Sequence, residues 1–309
     1  MAETFIWIIQ LFLIPVSSPL FLGIVRKIKA LLQNRTGAGI TQPYRDLWKL
    51  FHKDEVISRD ASWIFHLAPY LIFAVTLIIG ASIPLFVSQL SYNTMMSDFL
   101  VIVYLVALGT FFLALAGLDT GSAFGGFGSS REMTIAALTE GGLLFSFLTL
   151  ALIAHSSNLF SIVNAVASLS LFSFPPVILA FFAFLIALLS ETARFPFDNP
   201  ATHLELTMIH EAMILEYSGK RLALIEWAAA NKFLLFLALG ANMFFPWGIA
   251  TSSGFGEILA ALFFFFLKVF LLSCFIAVLE SSIAKFRFFR LPDLLFGSFI
   301  LNVIAIILI

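Results

Sequence analysis

Five acids fall within the stretch Glu191 to Arg221: Glu191, Asp198, Glu205, Glu211 and Glu216. His203, His210, Arg194, Lys220 and Arg221 share it, in a chain that is 61% hydrophobic and only 11% charged. A carboxylate held in an apolar setting has a raised pKa and can take up and release protons near neutral pH. Glu140, Lys268 and Glu280 lie inside apolar runs, where an ionisable group is costly and turns toward the interior, water or a partner. The chemistry these residues suit is proton carriage. The alternative at each position is a fixed charge, neutralised by an arginine, a lysine or backbone donors.

Metal chemistry is a poor fit. His210-Glu211 begins the HExxH pattern of zinc peptidases, but Ile214 stands where the second ligand belongs. His203 and His210 would lie ~10.5 Å apart along a helix, too far to share an ion. The single cysteine, Cys274, can form no internal disulfide, iron–sulfur site or zinc site and reads as a small core hydrophobe. No metal, cofactor or catalytic residue is expected in this chain, so redox chemistry would belong to a partner.

The elements that position these residues are transmembrane helices. The chain has 309 residues, 38 phenylalanines and a formal net charge of −1, with a mean hydropathy of +1.04. Apolar runs of about 20 residues recur, each able to cross a ~30 Å hydrocarbon core. Eight spans are expected, roughly at 4–25, 66–88, 98–117, 132–154, 174–193, 226–248, 257–281 and 292–309. The fold class is therefore all-α, a polytopic bundle with interfacial helices. Near-neutral charge without a large basic patch argues against nucleic acid as a partner. The first span has no cleavage pattern and reads as retained. Of 17 basic residues, 15 fall in alternate loops, whereas the loops near 89–97, 155–173 and 249–256 carry none. The basic loops are read as cytoplasmic, which puts both termini outside.

Within the loop 26–60, NRTGAGITQP is a turn region, followed by an amphipathic helix. Its stripe is Tyr44, Leu47, Trp48, Leu50 and Phe51, opposite Arg45, Asp46, Lys49 and Lys53. This helix either lies on the membrane surface or docks a soluble subunit. The glycine-rich 118–131 lacks phosphate-loop or dinucleotide spacing. Ser129 and Glu132 have capping-box spacing, which would start the fourth span and account for Glu132 structurally. Glu140 lies two turns deeper, ~12 Å along the axis. The outward loop 155–173 suggests a surface helix. Glu191 and Arg194, one helical turn apart, could pair at the interface. Pro196 and Pro200 break the chain, and a new buried helix is expected from near His203 to just before a C-capping Gly219, with Glu205 and Glu216 on one face. Lys232 is expected to snorkel to the boundary. Lys268 is expected to face an acid in the bundle or in a neighbouring subunit, and Glu280 could pair with Lys285 or Arg287.

Four motifs then carry a resemblance. Arg35-Thr36-Gly37-Ala38-Gly39-Ile40-Thr41-Gln42-Pro43-Tyr44-Arg45-Asp46, continuing to Lys49-Leu50, is similar to an RxGxGxxQxYRDxxKL pattern. The others are the Gly117–Ser122 GLDTGS segment running to Ser130-Arg131-Glu132, Glu191-Thr192 with Arg194-Phe195-Pro196-Phe197-Asp198, and Glu216-Tyr217-Ser218-Gly219. Together they resemble complex I subunit 1, and more closely its counterpart in group 4 [NiFe]-hydrogenase complexes (hydrogenase-4 component C and formate hydrogenlyase subunit 4). The likeness covers essentially the whole chain. It implies a single membrane domain over 1–309, with cytoplasmic loops 26–65, 118–131, 194–225 and 282–291. It also implies an inner-membrane subunit joining a peripheral redox arm to antiporter-like membrane subunits. A [NiFe] centre and iron–sulfur clusters, or quinone, would sit in or next to partners such as the hydrogenase-like large and small subunits.

The coupling residues carried over are Glu140, Glu191, Arg194, Asp198, Glu205 and Glu216; Glu211, Lys268 and Glu280 join them from their placement. Arg35, Gln42, Tyr44, Arg45, Asp46 and Lys49 are read as docking the arm. The chain departs from the complex I pattern at Ala201 and His203, where acids stand in that family, and in a longer interval from Asp198 to Glu216. A quinone-reducing complex I subunit and a stand-alone cation/proton antiporter are the alternative readings.

Overall fold

The structure is a computed structural model that describes residues 2–58, 61–88, 97–169, 175–198, 208–251 and 254–309. Among these, eleven α-helices are present. Seven are long and apolar enough to cross a membrane: α1 (Ala2–Leu32), α3 (Trp63–Ser82), α4 (Phe99–Asp119), α5 (Ala123–Ala154), α9 (Gly219–Met243), α10 (Phe255–Ser282) and α11 (Leu291–Ile307) with the 3-10 turn Phe288–Arg290 before it. An eighth apolar helix, α7 (Pro175–Glu191), is shorter at 17 residues. The remaining helices are α2 (Gln42–Phe51), α6 (Leu159–Ala167) and α8 (His210–Ile214). The described residues form no β-strand, only the isolated bridges Val87–Ala250 and Asp98–Asn158.

α7 is largely buried. It packs against α5 and α11 on one side and α9 on the other, and Phe184 meets Phe147, Phe236 and Phe244 at ring centroid distances of 5.7, 6.0 and 5.2 Å. Buried polar side chains fasten the apolar faces, as expected where lipid supplies no drive for helix association. Asn302 donates to Gly142 O at 2.9 Å, and Ser298 donates to Ala183 O at 3.0 Å. Asn231 accepts from Ser18 at 2.6 Å and donates to Thr76 at 3.1 Å, joining α9 to α1 and α3.

Proline placement in α1 has a use. Pro19 has no N–H for the carbonyl four residues back, which leaves Pro15 O free. Trp227 Nε1 donates to that oxygen at 2.9 Å, tying α9 to α1. Tyr44 of α2 donates to Val16 O at 2.5 Å, which fixes α2 against the same segment.

Several expectations from the sequence need correction. The fourth span begins at Ala123, not near 132, so the glycine-rich stretch is helix. Its glycines let α5 approach α4 and the 208–214 segment. A Cβ on Gly125 would stand 2.2 Å from Gly117 O, and one on Gly128 2.8 Å from Ile209 O. The capping box does not form, because Ser129 donates to Ala114 O at 2.8 Å from within the helix. The sixth span begins at Gly219 and ends at Met243, so Glu226 and Lys232 ride on it. Gly219 does take the left-handed conformation expected of it (φ +54°), but it opens α9 instead of closing the preceding helix. Of the helix expected from His203, residues up to 207 lie outside the described ones; the described part is the five-residue α8. α6 lies in the loop 155–173, where a helix was expected, yet Leu159, Phe160, Ile162 and Val163 are buried, so it packs into the bundle.

Candidate functional site

α7 ends at Glu191, and the turn after it folds back: Arg194 N donates to Leu189 O at 2.9 Å, with Ala193 in the left-handed region (φ +49°). This places Glu191 against α9, where its carboxylate meets Lys232 Nζ at 2.7 Å. Lys232 also donates to Thr110 Oγ1 at 3.2 Å. The ammonium that was expected to snorkel outward is instead one half of a membrane-level ion pair. Beside it, Ser190 and Thr139 share a hydrogen bond of 2.6 Å between α7 and α5.

Arg194 does not pair with Glu191. Its guanidinium lies 3.5 Å from the centre of the Phe233 ring and meets Glu280 Oε1 at 2.6 Å. Lys29 holds the other oxygen of Glu280 at 2.5 Å. Glu280 thus pairs with neither Lys285 nor Arg287, and two cations fix it. Lys285 meets Asp198 Oδ1 at 2.6 Å, while Asp198 Oδ2 accepts from the amides of Ile209 and His210 at 3.2 and 3.1 Å. Asp198 therefore fastens the start of α8 to the segment before α11.

Three cavities meet around these helices. One of about 300 Å³ lies between α1, the Glu191–Arg194 turn, α8 and α9, and is lined by Arg26, Glu191, His210, Glu211, Glu226 and Lys232 among others. A second, about 50 Å³, lies between α3, α4 and α9 and brings Glu132 to His210, Lys232 and Thr110. A third, about 260 Å³, opens between α1, α2 and α9 and shares Arg26 and Glu226 with the first. His210 and Lys232 belong to both the first and the second. The polar groups run from Asp46 beside α2, past Glu226 and Glu211, to the Glu191–Lys232 pair and then Glu132.

Burial pushes Glu211 up to about 7, and the negative charges of Glu226 and Asp198 add to that while Arg26 opposes it. Burial and the Lys232 charge push His210 down to about 4, against the pull of Asp198, so its ring is neutral at pH 7. Neither Glu132, Glu140, Glu211 nor Glu226 has a cation or hydrogen-bond donor on its carboxylate among the described residues.

A family model described as NADH dehydrogenase matches residues 4–309. The chain belongs to that family. Hydrogenase-4 component C of Escherichia coli K12 is 36% identical over 288 residues, covering 93% of this chain and 90% of its own. Formate hydrogenlyase subunit 4 of the same organism is 33% identical over 292 residues, covering 94% of each. An NADH-quinone oxidoreductase subunit of Symbiobacterium thermophilum is 28% identical over 302 residues, covering 92% of this chain and 87% of its own. The solved membrane-bound sulfane sulfur reductase, an archaeal respiratory membrane complex, contains a chain of the same fold, with a TM-score of 0.79 at 18% identity and 99% of both chains covered. The family resemblance drawn from the motifs is therefore correct.

Against this background the expected site residues separate. Glu191 and Glu211 reach the cavities, and Glu140 lies within electrostatic range of Glu191 and Lys232. Arg194, Asp198 and Glu280 are engaged in ion pairs. Glu205 lies outside the described residues. Glu216 is exposed, contrary to the expectation of a buried acid, because the chain leaves the helix at Ile214 and turns outward before α9. Lys268 faces no acid among the described residues; it donates to Asn242 Oδ1 at 2.7 Å and Phe245 O at 3.1 Å. Of the docking set, Arg35, Tyr44, Arg45 and Lys49 are exposed, while Gln42 donates to Asp46 at 2.8 Å. No group of three or more His, Cys, Asp or Glu is placed to hold a metal ion among the described residues. The residues that sequence reasoning passed over are Glu132, Glu226, Lys232, Arg26 and Lys29. A helix start at Gly219 would have placed Glu226 and Lys232 on one membrane-spanning helix.

Proposed function

We propose that this chain is an integral membrane subunit of a hydrogenase- or complex I-like oxidoreductase that couples electron transfer in a peripheral arm to proton or sodium translocation. The observation that carries this reading is the Glu191–Lys232 pair set between two cavities, with Glu211 and Glu226 on one side and Glu132 on the other. A proton entering beside α2 would pass Glu226 and reach Glu211, which the charge of Glu226 makes easier to protonate. Charge gained there weakens the hold of Glu191 on Lys232. The ammonium then leans toward Glu132 and Glu140, and the opened pair hands its imbalance to neighbouring ion-translocating subunits. Arg194, Asp198, Lys29, Lys285 and Glu280 hold the frame while this happens.

The whole chain acts as one membrane domain in the cell's inner membrane, with the basic loops 26–65, 118–131, 194–225 and 282–291 cytoplasmic and both termini outside. Its partners are the hydrogenase-like large and small subunits, iron–sulfur proteins and antiporter-like membrane subunits; the [NiFe] centre and clusters, or quinone, sit with them. Arg35, Tyr44, Arg45 and Lys49 present the docking face on and before α2. Glu205 is assigned to the same acidic loop. The test is Glu191→Gln in the intact complex reconstituted in vesicles. Electron transfer is expected to continue with fewer ions translocated per electron, and a wild-type ratio would refute the relay.

A further inference from the structure

Lys268 stands apart from the cluster described above. It lies thirteen residues after Phe255 and fourteen before Ser282, the two ends of α10, so at 1.5 Å per residue it is ~20 Å from either end. A lysine stem cannot span that distance to either end of its own helix. The side chain is buried. Its ammonium donates to Asn242 Oδ1 and Phe245 O and lies 5.3 Å from the centre of the Trp247 ring. An ammonium has three N–H donors, and the third has no acceptor among the described residues. The two oxygens are neutral dipoles and leave the charge uncompensated. Asn242 is itself committed, donating to Pro84 O and Leu85 O at 2.8 and 2.7 Å, so it holds the ammonium in place.

The ammonium forms part of the wall of a groove of about 450 Å³ between α7, the end of α9 and α10. Phe182, Trp247, Leu271 and Phe275 make an exposed apolar rim. An apolar rim suits lipid tails, but a buried cation in the wall of the groove does not. What matches both the rim and the cation is a carboxylate carried on an apolar helix.

We propose that this groove receives a transmembrane helix of a neighbouring membrane subunit, with an Asp or Glu of that helix paired to Lys268. This rests on the reading of the chain as one subunit of a membrane complex. The test places a photo-reactive benzoylphenylalanine at Leu271 in the intact complex, leaving Lys268 untouched. The expected product is an adduct to a membrane subunit, within one helical turn of an acid. Lys268→Met should then lower recovery of that subunit about tenfold or more, while the soluble arm subunits still co-purify. Lys268→Arg should restore recovery, as should Lys268→Glu combined with lysine in place of the partner's acid. Adducts to lipid alone, adducts to a helix without an acid, or wild-type recovery with Lys268→Met would each overturn the proposal. If Lys268→Met fails to fold, the adduct in the otherwise wild-type complex decides. Wild-type chain that purifies with no partner at all would instead defeat the subunit reading.

Discussion

Glu280 and Glu211 both lie among the charged groups around the Glu191–Arg194 turn, yet their surroundings are opposite. Both oxygens of Glu280 are taken by cations, Lys29 at 2.5 Å and Arg194 at 2.6 Å. Asp198 is similarly saturated, with Lys285 on one oxygen and two amides on the other. Glu211 opens on a cavity it shares with Glu191, Glu226 and Lys232, and Glu132 opens on the next one. In the first region cations match or outnumber acids. In the second, four acids share Lys232 and Arg26. Acids with full complements of donors serve as struts, and acids short of counter-charge are the ones whose protonation can change.

Breaking a strut should cost most. Glu280→Ala leaves the buried Arg194 and the half-buried Lys29 without a counterion, and one-sided removal of a buried pair costs about 3–5 kcal/mol. The expected outcome is a large fall in the thermal midpoint and yield of the purified complex. A normal midpoint would show that the cations are already solvated and that the two regions are alike.

Opening the pair between the cavities should affect coupling beyond any cost in yield, since removing Lys232 leaves the buried Glu191 without its cation. Lys232→Met is expected to lower ions translocated per electron in the complex that does assemble. Loss of assembly instead would move Glu191–Lys232 into the strut class.

Glu211→Gln sharpens the comparison through pH. The fold raises the Glu211 pKa to about 7, so from the ordinary carboxyl value near 4.3 upward the folded state keeps a proton that the unfolded chain has lost. Its contribution to stability is therefore present in full below that ordinary value and is lost as pH rises to about 7. A carboxyl infrared band titrating near 7 should be present in the wild-type complex and absent in Glu211→Gln. A band unchanged by the substitution would assign the titration elsewhere.

Smaller effects are expected at the latch. Asp198→Asn should speed hydrogen exchange at the Ile209 and His210 amides by about tenfold, with their acceptor weakened. Glu216→Gln should change neither coupling nor stability, because the side chain is exposed.

The bundle and its family were legible because apolar runs and short motifs are local signals. So were the break after Glu191 and the approximate place of the acids. What the sequence hid was partnership. Glu191 and Arg194 sit one turn apart and invite a pairing, yet they go to Lys232 and Glu280, respectively 41 and 86 residues away. Glu132 looked like a cap because Ser129 has the right spacing, but glycines at 125 and 128 let the helix begin earlier and turned Glu132 inward. Glu216 looked buried only on the premise of a continuous helix, and α8 ends at Ile214.

The most direct test is the number of ions translocated per electron by the intact complex in sealed vesicles, measured for wild type and for Glu132→Gln. Glu132 has no structural cation to lose, so the fold should stand and only the exchange should fail. A reduced ratio with electron transfer maintained is expected. A wild-type ratio would contradict the claim that acids short of counter-charge carry the coupling.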